Sequence, residues 1–144
     1  MNVLPLLAAL HLTQPTPEAA KAVFDHYYTG QGKGVVLAEA FLCAEIADQK
    51  KENKYDCTKR IEGAAPKGSV NVYLVMLVPE GDKKDLMVQS TLDGVVRETK
   101  DVSVEGKGMR TRVWKSISVG KAGKWELKVL DGDKTLATLP LTVE

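Results

Sequence analysis

The fold is decided by residues 109–143, which read MRTRVWKSISVGKAGKWELKVLDGDKTLATLPLTV. Turn residues at 120–123 and 131–133 divide this stretch into three short segments with the composition of β-strands. At residues 125–129 of the middle segment, apolar side chains alternate with charged ones. This period of two places one face of a strand on a core and the other in water. The stretch therefore predicts β-structure that is buried on one side.

Further strand signals recur upstream of this stretch. Residues 69–79 are apolar at nearly every position, which predicts a strand that is covered on both faces. Asp93-Gly94, between the strand-like residues 86–92 and 95–99, is the strongest short hairpin signal in the chain. Residues 102–105 form one more short segment. About seven strands at near-regular spacing predict a mainly β protein, an antiparallel two-sheet β-sandwich.

Three other segments complete the predicted sandwich. Local propensity at residues 35–47 favours a helix, but apolar residues stand at every second position from 36 to 46, and we predict a strand. The charged residues 48–60 predict a loop. Pro140 places the last strand at the edge of a sheet, because proline has no backbone N–H to donate to a neighbouring strand.

The chain is predicted to divide into residues 1–30, an apolar segment and capping helix, and residues 31–144, the sandwich domain. A helix is expected over residues 17–29, because Pro17 suits a first helical position and apolar residues then recur every three or four positions. We expect its aromatic face to pack on the second face of residues 69–79. The apolar face consists of Ala20, Val23, Phe24, Tyr27 and Tyr28.

Composition excludes several classes of protein. The chain has 144 residues, 44% of them hydrophobic and 27% charged, which is typical of a folded domain. Its net charge of +1 gives no general attraction to nucleic acid or anionic membranes. No apolar run reaches the ~20 residues that a membrane-spanning helix needs. Residues 1–12 are compatible with a shortened export signal or with an apolar segment that docks on the domain.

Cysteine and histidine are too few to predict a metal site, and we expect no cofactor. Cys43 and Cys57 would form a disulfide in an exported protein and would remain thiols in the cytosol. The histidines are His11 and His26. A thiol-dependent enzyme that pairs a cysteine with His26 is the catalytic alternative, but no local signature of such a pair is present. We therefore expect no enzymatic activity.

The strongest binding candidate is the set Arg110, Arg112 and Trp114, which share one face of a strand. With nearby basic residues such as Lys100 and Lys115, they would offer a basic and aromatic surface to an anionic partner, either a polysaccharide or an acidic protein face. The alternative interpretation is simple strand alternation, with arginine stems that cover a half-buried tryptophan. Nucleic acid is not expected, because single strands need more than one stacking ring.

Several short motifs resemble a known family. They are Arg-Val-Trp-Lys-Ser at 112–116, Gly-Lys-Trp-Glu-Leu-Lys-Val-Leu at 123–130, a closing Leu-Thr-Val and, upstream, Leu-Cys-Ala-Glu-Ile at 42–46 before a strand near 72–79. Over residues 35–144 the chain is similar to an immunoglobulin-like domain of unknown function that occurs in bacterial envelope-associated proteins.

This resemblance implies a β-sandwich, an oxidised Cys43–Cys57 pair and no established catalytic residues. It also implies a periplasmic or otherwise exported location, with the cytoplasm as the alternative. The expected function is a non-catalytic binding or structural module whose partner is another envelope protein or a polysaccharide. The sequence predicts no particular oligomeric state.

Overall fold

The structure, a computed structural model, describes residues 35–48, 55–106 and 110–144 together with Lys21. The described residues form nine β-strands in two sheets. In chain order the strands are β1 (Val36–Ile46), β2 (Cys57–Ile61), β3 (Ala64–Ala65), β4 (Gly68–Leu77), β5 (Lys83–Leu92), β6 (Val95–Glu105), β7 (Arg110–Val119), β8 (Gly123–Asp131) and β9 (Lys134–Val143).

The two sheets form a sandwich. The four-stranded sheet has the order β2-β1-β4-β7, and the five-stranded sheet has the order β3-β9-β8-β5-β6. Neighbouring strands are antiparallel except β3 and β9, which are parallel. The predicted mainly β, antiparallel two-sheet architecture is confirmed, with nine described strands in place of about seven. Apart from Lys21, the predicted helix over residues 17–29 lies outside the described residues, as do the apolar residues 1–12.

The core between the sheets is built from the alternating apolar rows that the sequence indicates. Each sheet turns one face inward, and the strands at its centre contribute the most buried side chains. The inward rows of β4 and β8 are Val70, Val72, Leu74, Met76, Trp125, Leu127 and Val129, all within the main buried cluster. On the opposite face of β4, Tyr73, Val75 and Leu77 are also buried. This confirms that residues 69–79 are covered on both faces.

The hairpin at Asp93-Gly94 is confirmed. Asp93 has φ 48° and Gly94 has φ 85°. Positive φ at both central residues is what a type I′ turn requires, and this turn matches the twist of the strands on either side. The prediction of two separate segments at 95–99 and 102–105 is wrong, because Lys100 and Asp101 stay paired with β5 and β6 runs through without a turn.

The strand prediction for residues 35–47 is confirmed, because pairing with β2 and β4 overrides local helix propensity. Its apolar row does not lie on one face, however. Register shifts after Leu37 and after Cys43 mark β-bulges, so that Ala38 and Ile46 pack on the opposite face from Leu42.

The predicted loop at 48–60 is shorter in the structure, and the predicted edge position of Pro140 is found on β9. The loop predicted at 48–60 is too long, because β2 begins at Cys57. The last strand, β9, has β8 on one side and only the two-residue β3 on the other. Since β3 pairs only with Thr142 and Val143, Pro140 lies at an open edge, as its missing N–H predicts.

Candidate binding surface

The outer face of the four-stranded sheet carries a row of three aromatic rings. Phe41 on β1 lies opposite Tyr73 on β4, and Tyr73 lies opposite Trp114 on β7. The ring centroids of Phe41 and Tyr73 are 4.9 Å apart, and those of Tyr73 and Trp114 are 5.8 Å apart. Stacked cross-strand rings stabilise a sheet beyond the area that they bury. We call these three residues the aromatic row.

The end of the connection between β1 and β2 folds back onto this row. The Tyr55 ring lies 5.7 Å from the Trp114 ring, and the Tyr73 hydroxyl donates a hydrogen bond to the Tyr55 carbonyl oxygen. The next residue, Asp56, forms an ion pair with Arg112. Tyr55 and Asp56, which we call the strap, are therefore fixed across β4 and β7.

A disulfide holds the strap next to β1. Cys43 and Cys57 are bonded, with their Cα atoms 6.0 Å apart, which confirms the pair that the family resemblance implied. Because the bond uses both sulfur atoms, neither cysteine is present as the thiolate that a thiol-dependent enzyme needs. The histidine of that alternative, His26, lies outside the described residues.

The opposite end of the aromatic row is covered by a cation. The Arg60 guanidinium lies 3.7 Å from the centroid of the Phe41 ring, a cation–π contact. Arg60 also forms an ion pair with Glu39 on the neighbouring strand. The row is thus bounded by Arg60 at one end and by the strap at the other.

Burial disfavours ionisation of the central phenol of the row, Tyr73. Desolvation raises the pKa of Tyr73 above its ordinary value of 10.0, the positive charge of Arg110 partly offsets this rise, and the charge of Glu39 adds to it. A neutral hydroxyl is the form that can donate to the Tyr55 carbonyl. The raised pKa of Tyr73 is therefore consistent with its hydroxyl acting as a hydrogen-bond donor.

The structure places Arg110, Arg112 and Trp114 on the same outer face, opposite three outward residues of β4. Their surroundings differ. Trp114 lies between the rings of Tyr73 and Tyr55, Arg112 contacts the strap, and Arg110 is exposed. The packing interpretation explains the contacts of Trp114 and Arg112, whereas binding of a partner by these residues stays a prediction.

A groove adjoins this face where the edge strands of the two sheets meet. It has a volume of about 310 Å³ and runs between β6 and β7. Near it, the Lys100 ammonium donates a 2.9 Å hydrogen bond to the Ser116 carbonyl oxygen, which links the two sheets. The lining residues are Asp101, Val102, Ser103, Arg112, Val113, Trp114 and Lys115.

The groove brings together residues that the sequence did not connect. Arg112 and Trp114 were predicted as binding residues, and both line it. Asp101 and Ser103 come from β6, which lies in the other sheet. The sequence feature that could have indicated this groove is the excess of positive charge in residues 110–119. These residues meet because β6 and β7 are edge strands of their sheets. The alternation of apolar residues in the sequence does not show which strands lie at an edge.

Residues 35–48, 55–106 and 110–144 contain no group of three or more histidine, cysteine or acidic side chains that could hold a metal ion. Within the same residues, no helix has the length and apolar character needed to cross a membrane.

Among solved structures, 71 chains match this one, and the two given below are examples. No protein-family model and no curated protein matches the sequence. An immunoglobulin-like protein from Pseudomonas aeruginosa is 17% identical, with a TM-score of 0.45 over 80% of this chain and 100% of the other. A β-glucosidase from Listeria innocua, solved with glucose, is 11% identical, with a TM-score of 0.46 over 79% of this chain. This chain spans only 17% of the glucosidase. Both TM-scores are below 0.5, so neither likeness assigns this chain to a family.

Proposed function

We propose that this protein is a non-catalytic, immunoglobulin-like binding module of the bacterial cell envelope, and that it binds another envelope protein. The observation that carries the proposal is the groove between β6 and β7, with the basic strand β7 as one wall. A concave site beside an exposed cation, Arg110, suits an acidic protein surface, because complementary charge gives specificity and speeds association.

The side chains of the groove support binding more than catalysis. An enzyme needs a nucleophile, a base or a metal held in a cleft. The described residues that line the groove include no histidine and no cysteine. Ser103 supplies a hydroxyl and Asp101 a carboxylate, but no hydrogen bond joins these two described residues, and a serine nucleophile needs an adjacent general base to activate it.

The disulfide supports the envelope location. Disulfides persist in oxidising compartments such as the periplasm and are rare in the cytosol. The location can be tested by alkylating the protein in its own cells before lysis and measuring its mass. We expect no alkylation of Cys43 or Cys57 without prior reduction. Alkylation of both cysteines in unreduced protein would favour the cytoplasmic alternative.

The polysaccharide alternative receives less support. A sugar-binding platform requires an aromatic face that is open to the sugar ring. The Trp114 ring already has Tyr73 and Tyr55 as neighbours, and Phe41 and Tyr73 are buried. We therefore favour a protein partner.

The experiment is a pull-down from the native envelope fraction with the full chain as bait. The test variant is Arg110→Glu/Lys115→Glu, since Arg112 and Trp114 hold the strap and their substitution would alter the fold. The control is Lys59→Glu/Lys67→Glu, which makes the same change in charge at exposed positions on β2 and before β4. We expect one partner that the wild type and the control capture and the test variant loses. Equal capture by all three proteins would contradict the proposal.

A further inference from the structure

Strand β7 forms an unusually regular edge. Within the described residues it pairs with β4 alone, through ten consecutive residue pairs without a register shift. It contains no proline. The edges on the far side of the sandwich are shorter: β2 has five residues and bulges beside it, and β3 has two. Short strands, bulges and prolines are common devices that prevent an edge from pairing with another chain, and β7 has none of these three.

One hydrogen bond shows which backbone groups of β7 face this edge. The Ser116 carbonyl accepts a hydrogen bond from Lys100, a residue of the other sheet, so it points away from β4. In an antiparallel ladder the N–H and C=O groups of alternate residues point to the same side. Because the register of β7 is unbroken, the backbone groups of Trp114 and Ser118 point the same way as those of Ser116.

The charge of β7 selects among the chains that could pair with it. The strand has three cations, Arg110, Arg112 and Lys115, and no acidic residue. Lys115 lies opposite the inward residue Val72, so its ammonium stands at the margin of the core. An inward charge on an edge strand disfavours pairing in general, so an added strand has to bring an opposite charge to Lys115. Two copies of β7 would bring their cations together, whereas an acidic strand would be attracted.

We propose that β7 is a strand-addition site for an extended, acidic segment of a protein partner. This inference rests on the proposed function and names its mode of recognition. The added strand extends the four-stranded sheet by hydrogen bonding to the backbone of Trp114, Ser116 and Ser118. Its carboxylates lie beside Arg110 and Lys115, and its side chains on one face enter the groove. Backbone pairing supplies affinity, and alternate side chains supply specificity, in this type of complex.

Lys100 has a defined role in this proposal. Before binding, its ammonium donates to the Ser116 carbonyl, forms an ion pair with Glu98 and partly blocks the edge. The added strand supplies an N–H to that carbonyl, and Lys100 turns to a carboxylate of the partner. The bond from Lys100 to the Ser116 carbonyl has a charge on the donor alone, whereas a bond to a partner carboxylate has a charge on both sides.

The test uses the full chain, labelled with ¹⁵N, and a capped peptide of about eight residues that alternates valine and glutamate, a length typical of a strand. We expect slower amide hydrogen exchange at Trp114, Ser116 and Ser118 when the peptide binds. A valine–lysine peptide of equal length should not bind. A valine–glutamate peptide with every second amide N-methylated should bind about tenfold more weakly, or ~1.4 kcal/mol, because it cannot complete the ladder.

Variants separate this proposal from the one on which it rests. Arg110→Glu/Lys115→Glu should lose the acidic peptide, and Lys59→Glu/Lys67→Glu should bind it as the wild type does. Equal binding of the lysine or N-methylated peptide would overturn strand addition. So would dimerisation of the chain through β7, or slow exchange at the three amides without peptide, since either shows that another strand is already paired. If the acidic peptide fails while the envelope partner still depends on Arg110 and Lys115, strand addition is wrong and the proposed function stands.

Discussion

The Tyr73 hydroxyl is hydrogen-bonded to the backbone carbonyl oxygen of Tyr55, and this bond fixes the strap to β4, an inner strand of the four-stranded sheet. Tyr73 is only 2% exposed, so its hydroxyl needs a protein partner, and replacing it by phenylalanine removes the bond to the Tyr55 carbonyl. We expect Tyr73→Phe to lower the free energy of unfolding by about 1 kcal/mol, measured by urea denaturation. Tyr73→Leu should cost more, because it also removes the ring between Phe41 and Trp114. Equal costs for the two variants would show that the rings contribute nothing.

Ionisation of the Tyr73 phenol should lower the free energy of unfolding at alkaline pH. Burial raises the pKa of Tyr73 in the folded protein above the value of 10.0 expected for the unfolded chain. The folded state therefore holds this proton more tightly. The resulting stabilisation is fully present below pH 10.0 and is lost as the pH rises through the folded pKa.

Other groups titrate in this range, so the test is a difference between two proteins. Unfolding free energies of the wild type and Tyr73→Phe are measured from neutral pH to the highest pH at which unfolding stays reversible. The advantage of the wild type should shrink above pH 10.0. An advantage that grows with pH would mean that Tyr73 ionises more readily when folded, contrary to the burial argument.

The disulfide closes the loop that carries the strap. Cys43 and Cys57 are separated by 14 positions, and a closed loop of this size stabilises a protein by about 3 kcal/mol in the chain-entropy estimate. We expect Cys43→Ala/Cys57→Ala to lose about this amount and to show faster amide exchange at Tyr55 and Asp56. Unchanged exchange at these two residues would show that Tyr73, Trp114 and Arg112 hold the strap without the disulfide.

Gly106 lies at a close approach of two backbone segments. It is buried, its N–H donates to the Asp82 carbonyl, and a Cβ at this position would overlap the carbonyl of Pro79. Gly106→Ala should therefore lower stability by about 1–3 kcal/mol, the usual range for overpacking. The control is Gly120→Ala, where the nearest heavy atom, Ser118 Oγ, is 3.9 Å from the added carbon. Similar thermal unfolding of both variants would contradict the steric argument.

Local pattern predicted the strands well but not their arrangement. Alternation at residues 125–129 and the Asp93-Gly94 turn each depend on a few neighbouring residues, so the sequence displays them directly. The last three strands look like one meander in the sequence. In the structure, residues 120–122 carry the chain from β7 in one sheet to β8 in the other. This crossing depends on packing between the sheets, and no local signal reports it.

The candidate surface was predictable only in part for the same reason. The shared face of Arg110, Arg112 and Trp114 follows from strand periodicity alone. The ion pair of Arg112 with Asp56 spans 56 positions in the chain, and it required the strap to fold back over β7. Bulges in β1 likewise moved Ala38 to the outer face, although the sequence pattern grouped it with Leu42.

The outer face of the four-stranded sheet predicts a role for residues 1–30. Val75 and Leu77 face away from the core between the sheets, yet they are only 7% and 2% exposed. Together with Phe41 and Tyr73 they would form a contiguous apolar patch if nothing covered them, and such patches promote aggregation. The sequence prediction that the aromatic side of residues 17–29 packs here lies outside the described residues and stays a prediction.

Deleting residues 1–30 should therefore give a poorly soluble protein that binds a hydrophobic dye and elutes as aggregates in size-exclusion chromatography. A milder form of the test keeps the full chain. Phe24→Asp, on the predicted apolar side of residues 17–29, should increase dye binding, whereas Asp25→Asn, on the predicted polar side, should not. A monodisperse, soluble truncated protein would contradict the prediction, because Val75 and Leu77 would then need no cover from this part of the chain.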